Sequence, residues 1–107
     1  MLSNVYIDKI MALLDNQKIR VWVDAWDDDC DDWAKCEIGE YWFYFLYMKD
    51  DKCLEDYSTD ELAEYIYNNI SDADAYCLGD AEADYYVCVI DELFEELPLE
   101  TQKEYVK

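Results

Sequence analysis

Apolar positions recur with a helical period over residues 4–15 (NVYIDKIMALLD). Val5 or Tyr6, Ile10, Leu13 and Leu14 fall on one stripe, and Ser3 or Asn4 can cap the start. Asn16-Gln17 breaks the pattern. Residues 19–26 (IRVWVDAW) then alternate, with Ile19, Val21, Val23 and Ala25 on one side and Arg20, Trp22, Asp24 and Trp26 on the other. That is a half-buried strand. Residues 33–38 (WAKCEI) predict a second strand and Gly39 a turn. Residues 40–48 (EYWFYFLYM) are apolar nearly throughout, which predicts a strand covered on both faces. The three strands make an antiparallel meander.

Ser58-Thr59-Asp60-Glu61 reads as a capping box, opening a helix to about Asn69 that buries Leu62, Ala63, Ile66 and Ile70. Residues 72–90 alternate with period two on either side of Leu78-Gly79, and Val87, Val89 and Ile90 favour a strand. A hairpin is expected here, with a partly helical segment as the alternative. With a Leu78-Gly79-Asp80 loop, Asp74 faces Asp84 and Tyr76 faces Glu82, so Asp72, Asp74, Glu82 and Asp84 share a face. Like charges so placed repel, unless something else selects them. Asp91 to Leu97 reads as a short helix, Pro98 as a break, and 99–106 as a last helical turn or two. The expected fold is α+β: a single domain, 1–107, with a small antiparallel sheet (meander plus C-terminal hairpin) and helices packed on one side.

Charge changes the picture more than any motif. Twenty-eight acids face eight Lys and Arg, the net charge is −20, and there is no histidine. From Cys53 to Gln102 there is not one Lys or Arg, while seven Asp and eight Glu occur. Self-repulsion on this scale destabilises a compact state, and solubility needs a net charge of only about 2–8 in a small domain. A hydrophobic fraction of 53% with eleven tyrosines excludes an acidic disordered chain. The charge excludes direct binding to nucleic acid or to an anionic membrane. No apolar run approaches the ~18 residues needed to span a bilayer.

The chemistry of catalysis is poorly represented. The commonest general base is missing with histidine. Ser3, Ser58 and Ser71 have no evident activating partner, and two glycines cannot make a phosphate loop. The expectation is a protein that is not an enzyme and holds no cofactor. An EF-hand beginning at Asp27 would need Gly at residue 32 and Glu at residue 38, where Asp32 and Ile38 stand; one beginning at Asp72 meets Ala83 at its last position. A weak cation site is left open. Five cysteines, an odd number without Cys-x-x-Cys, argue for free thiols in a reducing cytoplasm, and no secretory signal pattern is visible.

Two acidic clusters are the candidate partner-binding residues. The first is Asp24, Asp27, Asp28, Asp29, Asp31 and Asp32, interleaved with Trp22, Trp26 and Trp33. The second is Asp72, Asp74, Asp80, Glu82 and Asp84, with Tyr76 among them. Carboxylates beside aromatics suit an Arg- and Lys-rich partner through charge-assisted hydrogen bonds and cation–π contacts. Trp26 and Tyr76 are the candidate aromatic anchors, whereas Trp22 and Trp33 are equally readable as core residues flanking a loop. Glu61, Glu64, Asp91 and Glu92 are explained by the dipoles of the helices they open.

Duplex DNA carries about twenty charges in some 34 Å of its length, close to one turn. In size, acidity, tyrosine content and lack of histidine, the whole chain resembles the DNA-mimic inhibitors of bacteriophages and mobile elements, the anti-restriction and anti-CRISPR proteins. The resemblance rests on overall character and carries over no particular residue. It implies an inhibitor that blocks the DNA site of a basic nucleic-acid-binding protein, a Cas effector or a restriction enzyme, in the bacterial host cytoplasm. Two readings stand beside it: an immunity-type inhibitor of a basic nuclease toxin, and an acidic scaffold or calcium-buffering protein. A merely acidic or halophilic surface would account for the charge but not for eleven Tyr and four Trp.

Overall fold

The computed structural model describes residues 4–24, 33–46, 54–71 and 83–106. Helix α1 spans Asn4–Asp15, followed by strands β1 (Ile19–Asp24), β2 (Trp33–Ile38) and β3 (Tyr41–Leu46). A single 3-10 turn, Leu54–Asp56, leads to α2 (Thr59–Ser71), α3 (Ala83–Glu96) and α4 (Leu99–Tyr105). The class is α+β.

The strands form an antiparallel meander in the order β1-β2-β3. Ile38 pairs with Tyr41 across a two-residue turn in which Gly39 has φ +62°, while Glu40 keeps a negative φ. That is the type II′ arrangement, which glycine enters without steric cost and which suits the twist of the strands. Ala34, Cys36, Ile38, Phe43 and Phe45 are buried on one face. The helices meet that face: Phe45 stacks on Tyr65 of α2, and Phe43 packs against Tyr86 of α3 at 5.1 Å.

Helices α1, α2 and α3 each bury one stripe. On α1 it is Ile10 and Leu13, on α2 Ala63, Ile66 and Ile70, and on α3 Tyr86, Ile90 and Phe94, ending at Leu97 just beyond the helix. Burial of each large aliphatic or aromatic side chain stabilises the fold by about 1.5–3 kcal/mol. The helix ends are secured locally. At the end of α1, Lys18 N–H bonds to Leu13 O (2.8 Å) and Gln17 N–H to Leu14 O (3.1 Å), a Schellman motif with Gln17 at φ 59°. At the start of α2, Ser58 N–H donates to Glu61 Oε1 (3.2 Å) and Glu61 N–H to Ser58 Oγ (3.4 Å), the capping box read from the sequence. Gln102 Nε2 donates to Leu97 O (2.8 Å) and Glu95 O (3.2 Å), closing the end of α3.

Three expectations need correction. Residues 83–90 are the first half of α3, not the second strand of a hairpin. The stripe Tyr86, Ile90, Phe94 continues across Asp91 without a break, so the 3.6-residue period prevails over the local β preference of Val87 and Val89. The first hairpin strand, residues 72–77, lies outside the described residues. Second, β3 is not covered equally on both faces: Phe43 and Phe45 are buried, while Trp42 and Tyr44 are half-exposed on the other side. Third, Asp91 and Glu92 stand in the middle of α3, so a helix N-terminus does not explain them.

Candidate partner-binding surface

Helices α2 and α3 carry Asp60, Glu61, Glu64, Asp84, Asp91, Glu92, Glu95 and Glu96, and no Lys or Arg. Side chains four residues apart lie one above the other, so Asp60 and Glu64, and Glu92 and Glu96, form short rows with a rise of about 6 Å. All four are exposed, as are Glu95 and, on α4, Glu100 and Glu104. Glu95 and Glu96 close α3, where the helix dipole opposes negative charge. Their placement runs against local helix stability.

Two acids on the helices serve the fold. Asp91 accepts hydrogen bonds from Lys9 Nζ (2.8 Å) and the Tyr6 hydroxyl (3.0 Å), fastening α3 to α1. Asp15, at the end of α1, accepts from Tyr105 Oη (2.6 Å) and Thr59 Oγ1 (3.1 Å), joining α1 to α4 and α2. Burial and the Asp91 contact push the Tyr6 phenol up to about 12. The Asp15 hydrogen bond, more than burial, pushes Tyr105 up to about 12 as well.

The sheet face turned away from the helices is aromatic. Register places Trp22, Lys35 and Tyr44 in one row and Arg20, Glu37 and Trp42 in the next. Lys35 Nζ lies 4.2 Å from the Trp42 ring centre and 5.3 Å from that of Trp22. Arg20 pairs with Glu37 and lies over Trp22 at 5.9 Å. Trp22 is 37% exposed, so it is not a core residue. Its ring nevertheless already receives cations from its own chain, which are the contacts a basic partner would otherwise supply.

Of the sequence-nominated acids, Asp24 ends β1 and pairs with Trp33, and Asp84 lies in the first turn of α3. Asp27, Asp28, Asp29, Asp31, Asp32, Asp72, Asp74, Asp80 and Glu82 lie outside the described residues, as do Trp26 and Tyr76. Glu92, Glu95 and Glu96 stand together on α3, whereas the sequence pattern alone puts Glu92 at the N-terminus of a short helix. The signal was present in the base-free run from Cys53 to Gln102 laid over a helical period.

Among the described residues, no group of three or more His, Cys, Asp or Glu is arranged to hold a metal ion, and no helix is long and apolar enough to cross a membrane. Cys36 is buried and Cys88 exposed, and burial pushes the Cys36 thiol well above its usual range. No protein-family model, curated protein or solved structure matches the chain.

Proposed function

We propose that the protein is a DNA-mimic inhibitor that occupies the nucleic-acid-binding site of a bacterial defence nuclease, a Cas effector or a restriction enzyme. The observation that carries this reading is the base-free acidic surface of α2 and α3. Three cations of the fold are engaged internally: Lys9 with Asp91, Arg20 with Glu37, and Lys35 on Trp22 and Trp42. Of these three, only Lys9 meets an acid of α2 or α3, Asp91. The molecule is 45 Å along its longest axis, enough to span a DNA turn of about 34 Å. In sequence, residues 27–32 and 72–82 add nine further Asp and Glu.

Association would be electrostatically steered, hence fast and salt-sensitive. The test is displacement of labelled duplex DNA from a panel of Cas effectors and restriction enzymes, at about 50 and about 200 mM salt. Displacement at the lower salt, weakening at the higher, supports the proposal. Failure to displace DNA from any member at the lower salt overturns it.

A further inference from the structure

We propose that the groove between α3 and the β2–β3 turn is the docking site for a basic amphipathic helix of the partner protein. This rests on the proposed function for the partner's basic character, and adds where and in what form that partner is held.

The groove encloses about 510 Å³. Its floor is apolar: Tyr41, Val89 and Leu93 line it and are half-buried. Its rim is anionic: Glu40 from the turn and Glu92 and Glu96 from α3 are all exposed, and no Lys or Arg contributes to the lining. The turn is held against the helix by close contact, since a Cβ at Gly39 would lie 2.8 Å from Val89 Cγ1.

An apolar floor with a carboxylate rim matches one kind of side chain best. Arg and Lys lay an aliphatic stem on apolar surface and keep a charged head at the edge. The spacing suits a helix lying along α3. Glu92 and Glu96 are one turn apart, so basic residues at i and i+4 of a partner helix meet both carboxylates at once. Apolar residues on the adjoining stripe of that helix then reach Val89 and Leu93. Cys88 lies one turn before Glu92 on the same face and also lines the groove, so its thiol reports occupancy.

The probe is an acetylated, amidated helical peptide of about 15 residues, with Leu and Arg on adjoining stripes. Its scrambled isomer of equal charge is the control. Binding is measured by calorimetry on the full chain, on a groove variant (Glu40→Gln, Glu92→Gln, Glu96→Gln) and on a variant with the same charge change elsewhere (Glu55→Gln, Glu100→Gln, Glu104→Gln). All six positions are exposed, so both variants keep the core. The groove variant is expected to bind the peptide about tenfold more weakly, the other variant within about twofold of the native chain, and the scrambled peptide about tenfold more weakly than the helical one. Saturating peptide is expected to slow Cys88 alkylation, read by peptide mapping, about fivefold or more. Equal weakening by the two variants, equal binding of the two peptides, or no protection of Cys88 overturns the inference. No nuclease enters this assay. Loss of the groove result with DNA displacement intact therefore removes the inference alone, and the reverse outcome removes the proposed function alone.

Discussion

The Tyr86 hydroxyl, on a fully buried side chain of α3, donates a 2.8 Å hydrogen bond to the carbonyl oxygen of Trp42 on β3. Trp42 turns its own ring to the opposite face, over Lys35. One residue thus couples the acidic helical layer to the aromatic face of the sheet. Tyr86→Phe keeps the ring packing against Phe43 and Tyr41 but removes the donor. The expected loss is about 1–2 kcal/mol, measured as a lower urea midpoint at unchanged m-value.

Gly39 and Gln17 share nearly the same positive φ but should respond in opposite directions. A side chain at Gly39 is strained by the backbone and collides with Val89, so Gly39→Ala is expected to cost about 1–3 kcal/mol. Gln17 occupies a position in the Schellman motif that favours glycine. Gln17→Gly is expected to gain about 0.5 kcal/mol, relief of the left-handed conformation exceeding the added freedom of the unfolded chain. Urea unfolding of both variants checks the pair.

Tyr6 and Tyr105 both ionise near 12 in the folded protein, against about 10 in an unfolded chain. The folded state therefore holds these protons more tightly. Their contribution to stability is fully present below pH ~10 and is lost as the pH rises toward 12. In a phenolate absorbance titration both should ionise late. Tyr6→Phe should remove one of them, and Asp15→Asn should return Tyr105 toward its ordinary value.

Glu95 sits exposed in the last turn of α3. Glu95→Lys replaces an anion with a cation where the dipole favours one, and should raise stability by about 0.3–1 kcal/mol. Under the proposed function the same change weakens DNA displacement. Thermal unfolding and the competition assay, run on one preparation, read both effects.

Cys36 and Cys88 should separate cleanly in thiol chemistry. Cys88 is exposed and should alkylate in the native state, whereas Cys36, buried with a raised pKa, should react only on unfolding. Peptide mapping with and without urea distinguishes the two.

Much of the fold was legible because single side chains report single faces. The alternation Ile19, Val21 against Arg20, Trp22 marked β1, and Ser58 with Glu61 marked the start of α2, because each pattern reflects contacts within a few residues. Residues 83–90 misled because alternation and the helical period coincide over so short a run; only Phe94 and Leu97 continue the stripe and decide it. The candidate site was legible in charge but not in place. Asp91 and Glu92 are neighbours in sequence, yet one is bonded to Lys9 and Tyr6 and the other stands on the rim of a groove.

The sequence by itself determined the α+β class, the three-stranded meander and a run of fifty residues, Cys53 to Gln102, without a base. Local periodicity and formal charge require no knowledge of what packs against what. Tertiary structure alone decided which acids fasten helices together and which are presented outward. It also decided that Lys35 belongs to its own tryptophans, and that Glu40, distant along the chain, joins Glu92 and Glu96 around one groove. Those are pairings between elements, set by strand register, helix packing and the closure of the turn at Gly39 on Val89, and no pattern along the chain encodes them.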